Sequence, residues 1–131
     1  MPKTQIVTDK AKPVAAYSTG WKVSGGSLIF LAGQVAIDPD GAFVGKGDIE
    51  AQTRQIFENL KAALEAGGAT LADIVQLNMF MTDREEFPAA MGVRKTFLFE
   101  PHPASTLLFV SGLANPDWKI EIDVVAFVED N

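Results

Sequence analysis

Helical periodicity in two segments, set among short runs of strand character, predicts an α+β sandwich of two layers. Three observations carry this. Between Asp48 and Ala66, the residues Ile49, Thr53, Ile56, Phe57, Leu60 and Leu64 recur at three- and four-residue steps and share one face of a helix. Lys119–Val128 begins in strict alternation, with Ile120, Ile122 and Val124 on one side and Glu121 and Asp123 on the other. Between and before these lie further strand-length runs and a second, shorter helical pattern. The order is β-β-α-β-α-β-β, a mixed sheet with two helices on one face.

Taken in order, residues 1–14 carry Lys3, Lys10, Lys12 and Pro13 and read as an irregular lead-in. Ala16–Val23 spaces Tyr17, Trp21 and Val23 as a strand does. Gly25-Gly26 then turns the chain into Ser27–Ala32, as in a hairpin. Asp38-Pro39-Asp40-Gly41 marks a turn, because Pro fixes φ and Gly tolerates a positive φ. Asp48 suits the N-cap of the first helix and Gly67-Gly68 its stop, with Glu58 and Lys61 on the wet face. Ile74–Met81 reads as a strand, with Val75, Leu77, Met79 and Met81 on one side. The second helix is expected over Phe87–Phe99, with Pro88 in its first turn and Pro101 beyond its end. Its inner side takes Phe87, Met91, Arg94 or Lys95, and Leu98. Gly92 costs that helix about 1 kcal/mol against Ala, and a close approach of helix to sheet is the expected reason. Ser105–Val110 and Lys119–Val128 complete the sheet.

Helices on one face leave the other face bare. It would carry Tyr17, Phe30 or Ile29, and Leu77 or Asn78, more apolar than solvent tolerates. A homo-oligomer is therefore expected.

The chain's 131 residues suit one domain, 1–131. Hydrophobic residues at 47% and charged residues at 21% are ordinary for a packed globule and argue against disorder. Eleven Lys and Arg against 17 Asp and Glu give a net charge of −6, and no basic cluster interrupts it. A nucleic-acid partner is disfavoured, since such binding rests on cations that displace phosphate counterions. With no cysteine, disulfides, thiolate catalysis and Cys-based metal sites are excluded. No apolar run approaches the ~20 residues of a membrane span, and the first residues lack the apolar stretch of a signal peptide. No membrane association is expected, and the cytoplasm follows by elimination.

Few residues stand out for chemistry. Glu121 lies among Ile120, Ile122 and Val124 on a strand, so it occupies either a solvated face or a pocket. In a pocket, a carboxyl becomes a competent proton carrier. Tyr17, the only tyrosine, either orients a substrate oxygen or water or is a core aromatic. His102, the only histidine, sits between two prolines and reads as a solvent-exposed loop residue, and with no second ligand a metal role is disfavoured. Arg94 and Lys95 bind an anion only if their helix faces a subunit junction. Ser105 and Thr106 open a strand with no base at fixed spacing, so they are not read as nucleophiles. Gly33-Gln34 either presents backbone N–H groups to a ligand or makes a tight turn.

Together these residues resemble a family. Pro103-Ala104-Ser105-Thr106-Leu107-Leu108, then Ser111-Gly112-Leu113, then Ile120-Glu121-Ile122, resembles the C-terminal signature of the RidA/YjgF family. Tyr17 and Gly20 match its early strand, and Leu31-Ala32-Gly33-Gln34 with Asp38-Pro39 and Gly41 its glycine segment and turn. Glu50 to Gln55, Asn59-Leu60 and Ala66-Gly67 match its first helix, and Ile74-Val75, Asp83 and Phe87 match its next strand and helix start. The resemblance implies a chorismate-mutase-like fold. It also implies a homotrimer in which the sheets line a central barrel, and small-molecule clefts between subunits. The implied activity is hydrolysis of reactive enamines and imines to keto acids and ammonia, without metal or cofactor. An Arg grips the substrate carboxylate by a two-pronged contact, and a Glu and a Tyr handle water; Glu121 and Tyr17 fall on those two positions. At the Arg position this chain has Ser105, at a frequent Cys Leu107, and at a helix Asn Met91.

The expectation is thus a cleft lacking its guanidinium. Loss of such a contact costs ~2–5 kcal/mol when the partner charge stays buried. Glu121 and Tyr17 are the expected catalytic pair; Gly33, Ser105, Thr106, Leu107, Met91 and Arg94 are the expected substrate contacts. Two functions are consistent with this: a divergent hydrolase for imines, enamines or related molecules other than 2-aminoacrylate-type imino acids, or a non-catalytic trimer that binds a small metabolite or regulates a partner.

Overall fold

The computed structural model describes residues 2–130. In chain order the elements are β1 (Lys3–Ile6), β2 (Gly20–Val23), β3 (Gly26–Gln34), α1 (Ile49–Ala66), β4 (Ile74–Met81), α2 (Phe87–Arg94), β5 (Ala104–Phe109) and β6 (Ile120–Glu129). Single 3-10 turns at Leu71–Asp73 and Arg84–Glu86 precede β4 and α2. The main sheet has the order β3-β6-β4-β5; its pairs are antiparallel except β4 with β5, which is parallel. The expected α+β architecture is present, with α1 packed on β3 and β6 and against α2.

The core forms where the periodicities meet. Ile56, Phe57, Leu60 and Leu64 of α1 bury against Leu77, Met79 and Met81 of β4 and Ile120, Ile122 and Val124 of β6. Ile29 and Leu31 of β3 pack on the same cluster, as do Leu107 and Phe109 of β5. Each strand therefore shows alternate residues to the helices. Asp48 caps α1 as expected, its Oδ1 accepting from the Ala51 N–H at 3.1 Å, and the Gly67 N–H closes the other end on Ala63 and Leu64. Among the described residues no helix is long and apolar enough to cross a membrane.

Several expectations need correction. The lead-in is not wholly irregular: β1 pairs antiparallel with β2, Lys3 opposite Val23 and Ile6 opposite Gly20, as a ribbon outside the main sheet. The early strand is shorter than Ala16–Val23, because residues before Gly20 bend to meet the start of β5. Of the paired alternatives for the bare face, Phe30 and Asn78 lie there, whereas Ile29 and Leu77 point into the core. Tyr17 is on a loop beside the helices rather than on that face.

The second helix ends at Arg94, not Phe99. Thr96 stops it: its N–H donates to the Val93 carbonyl at 2.9 Å and its hydroxyl to the same oxygen at 2.6 Å. Phe97 then stacks on Phe57 with ring centres 5.1 Å apart. Gly92 makes no close approach, since a Cβ there would meet nothing within 4 Å. Gly92→Ala is therefore expected to stabilise the protein by about 0.5–1 kcal/mol, read as a higher urea midpoint with an unchanged slope.

Candidate functional site

A cavity of about 300 Å³ opens at the edge of the helix layer, beside the outer strand β5. Its floor is Met79 of β4 and Leu107 of β5, which face each other in the parallel register. The first residue of α2, Phe87, walls one side, and Met91 follows one turn on. Ser105, two residues before Leu107, shares its side of the strand and also lines the cavity. Thr106 between them points to the opposite face and is exposed.

Tyr17 closes the cavity from the loop before β2. That loop is strapped to β5 through Ser18, which is buried. The Ser18 N–H donates to the Pro103 carbonyl at 3.0 Å, and its hydroxyl donates to the His102 carbonyl. Gln5 of β1 donates to the Ser18 hydroxyl at 2.9 Å, and the Trp21 indole of β2 donates to the His102 carbonyl at 3.1 Å. The ribbon thus holds the loop that places Tyr17. The Tyr17 hydroxyl accepts from the Val14 N–H at 3.2 Å and keeps its own proton free to donate. His102 is half-buried rather than exposed, and its Nδ1 is buried without a partner.

Arg94 departs most from the expected cleft. The last residue of α2, it is only 5% exposed, and its Nη1 donates to Ser105 Oγ at 3.1 Å. Lys95, one residue on, is exposed. A guanidinium therefore stands beside Ser105, delivered from the helix rather than the strand. Burial lowers the Arg94 pKa from its ordinary value, but arginine stays charged in proteins.

Glu121 and Gly33 lie elsewhere in the protomer. Both occupy the bare face of the sheet, next to each other across β6 and β3. The register slips between Leu31 and Gln34, a bulge that sets Gly33 outside the regular ladder. A Cβ at Gly33 would collide with Glu121 Oε2, so only glycine lets the carboxylate lie over this backbone. Tyr17, Met91, Arg94, Ser105 and Leu107 thus come together, whereas Glu121, Gly33 and Thr106 sit on the other side of the sheet.

Met79 and Phe87 join the cavity although the sequence marked them only as interior positions. Ser18 carried no signal beyond being a small polar residue near Tyr17. Among the described residues no group of three or more imidazole or carboxylate side chains is placed to hold a metal ion.

A two-layer α+β protein with an edge cavity and an unpartnered sheet face is the class these features define. The sequence profile described as endoribonuclease L-PSP matches residues 7–128. A RutC family protein of Pyrococcus abyssi is 40% identical over 130 residues, covering 98% of this chain and 100% of the relative. A protein of Dermatophagoides farinae named 2-iminobutanoate/2-iminopropanoate deaminase is 33% identical, with 98% of each chain covered. Among solved structures, a Rid-family protein of unknown function from Yersinia pestis superposes with a TM-score of 0.84 at 30% identity, over 98% of this chain and 100% of the other. RidA from an Antarctic Psychrobacter gives 0.72 at 33% identity, over 95% and 99%. The chain belongs to the RidA/YjgF family, whose chorismate-mutase-like fold it adopts.

Proposed function

We propose that this protein hydrolyses small reactive imines and enamines to carbonyl compounds and ammonia, in a cleft completed between protomers of a homotrimer. The observation that carries the reading is the division of polar groups within one chain. Tyr17 faces a largely apolar cavity on one side of the sheet, and the Glu121–Gly33 corner lies on the other, on a face that exposes Phe30 and Leu108. A second protomer seated on that face would supply the missing half. Family membership, together with a 33%-identical relative named as an imine deaminase, supports the chemistry.

In the proposed step, the water oxygen bonds to the imine carbon as the C=N π pair moves onto nitrogen. Glu121 takes the water proton and returns it to nitrogen. The carbinolamine then collapses: its hydroxyl proton passes by way of Glu121 to the amino nitrogen, C=O forms, and ammonia leaves with the C–N pair. Tyr17 and the Gly33 backbone orient water and substrate. An enamine enters the same path after protonation at carbon.

The test is ammonia release from a panel of imines generated in situ by an amino-acid oxidase or dehydratase. The wild-type protein is expected to accelerate release from at least one. Glu121→Ala should lose about 10²–10⁴-fold, the usual worth of a positioned acid–base group. No acceleration over buffer across the panel defeats the reading, and saturable binding without turnover favours a metabolite-binding protein instead.

A further inference from the structure

We infer that Met91 is a site of reversible oxidation by hydrogen peroxide, and that its sulfoxide oxygen accepts a hydrogen bond from the Arg94 guanidinium and so shuts the edge cavity. The inference rests on the hydrolase reading above only for the source of the peroxide.

The first ground is access. Met79 and Met81 of β4 are 0% exposed, whereas Met91 of α2 is half-buried and lines the cavity. Met79 borders the same cavity but from beneath, as part of its floor. Oxidation of a thioether follows its exposure, so among these three Met91 meets the oxidant first. The step is balanced by the peroxide itself. The sulfur lone pair takes one peroxide oxygen as the O–O bond breaks, that oxygen's proton passes to the other, and water leaves. Sulfur loses two electrons and peroxide gains them.

The second ground is a cation with donors to spare beside that sulfur. Met91 and Arg94 are three residues apart on α2, side by side on one helix face, and both line the cavity. Arg94 is buried, and its one hydrogen bond within the chain runs from Nη1 to Ser105 Oγ at 3.1 Å. Among the described residues none of the ion pairs includes it. Neither Nε nor Nη2 has a partner, yet neither is sealed in the interior, so both reach open space. A thioether is a weak acceptor and leaves such donors unmet. A sulfoxide oxygen carries much of the S–O pair and is a strong one. A hydrogen bond to it from a guanidinium is charge-assisted, about twice as strong as a neutral one.

The third ground is the chamber. Its other walls are Phe87, Leu107 and Met79, and about 300 Å³ sits at the small end of ligand pockets. One oxygen bridged to Arg94 narrows so small a space and makes an apolar wall polar. Peroxide arises with the proposed substrate. Oxidation of an amine by dioxygen, one class of reaction that supplies an imine, yields one hydrogen peroxide per imine, because the two hydrogens removed end on oxygen.

The experiment treats folded wild-type protein with graded hydrogen peroxide. Each methionine is mapped by mass spectrometry, Met91 in the tryptic peptide 85–94. Met91 is expected to oxidise at least about ten-fold sooner than Met79 or Met81, and methionine sulfoxide reductase should reverse it. The urea midpoint of wild type oxidised at Met91 is expected not to fall. In Arg94→Leu the same oxidation should lower it, because the new oxygen then lacks its donor. Ammonia release should drop in step with the Met91 sulfoxide and recover with the reductase, while Met91→Leu, compared with its own untreated sample, should not respond to peroxide. Oxidation of Met79 or Met81 as early as Met91, a Met91 that resists peroxide, or a wild-type midpoint that falls overturns the inference. So does an unchanged midpoint in a folded, oxidised Arg94→Leu protein, or undiminished ammonia release after complete Met91 oxidation. Mapping and the wild-type midpoint need no substitution, so a variant that misfolds does not shield the idea. Absence of ammonia release before any peroxide is added sinks the hydrolase reading alone, and mapping and midpoint then decide this one.

Discussion

Phe30→Glu is expected to convert the proposed trimer into a monomer at micromolar concentration, and to abolish ammonia release while the protomer stays folded. Phe30 is 72% exposed on the bare face of the sheet, with Leu28 at 49% on its own strand and Leu108 at 50% on the outer strand. Burying such a phenylalanine contributes about 1.5–3 kcal/mol per copy. A glutamate there would instead be desolvated on assembly, at several kcal/mol per ion. Nothing in the protomer leans on the ring, so circular dichroism should be unchanged. Sedimentation velocity reads the assembly state. Activity should fall with assembly, because Glu121 and the Tyr17 cavity lie on opposite sides of one sheet and the proposed cleft joins them only across two protomers. A stable trimer with Phe30→Glu would move the interface elsewhere, and an active monomer would require the cleft to form within one chain.

Gln52→Leu is expected to destabilise the fold by about 2–4 kcal/mol, the cost of stranding buried hydrogen-bonding groups. Gln52 is fully buried on α1, among apolar neighbours. Its Nε2 donates to the carbonyls of Gly45 at 3.0 Å and Asp117 at 3.1 Å, and its Oε1 accepts from the Lys119 N–H at 2.9 Å. One side chain thereby ties the loop before α1 to the loop that feeds β6. Leucine fills the space but leaves the Asp117 carbonyl and the Lys119 N–H without their partner, while the Gly45 carbonyl keeps only the Asp48 N–H at 2.8 Å. Urea unfolding at fixed protein concentration measures the loss; a shift below about 0.5 kcal/mol, the range of neutral surface changes, would mean that water replaces the amide.

Much of the layered architecture was legible because its signals are periodic. α1 could be read from its three- and four-residue steps, and β6 from Ile120, Glu121, Ile122 and Asp123. β1 could not: Lys-Thr-Gln-Ile has one apolar residue and no alternation, and it is held by pairing to β2 and by Lys3 Nζ standing 4.6 Å from the Trp21 ring centre. The end of α2 was hidden because Thr96 stops it with a local hydroxyl bond, while apolar residues continue beyond it.

The candidate site was legible in its members more than in its arrangement. Arg94 and Lys95 are neighbours in sequence but point about 100° apart on a helix. Only packing decides which one turns inward, so the sequence left both open. The position of Tyr17 depends on Ser18 reaching the His102 backbone, 84 residues away, and no local pattern announces that bond.

The contact between Arg94 and Ser105 bears on how relatives of this chain are sorted. Compared column by column, position 105 shows only a serine. Yet a guanidinium occupies the neighbourhood of that serine, supplied from eleven positions upstream. A comparison by sequence column records that serine and misses the arginine packed against it; a comparison by spatial neighbourhood records both.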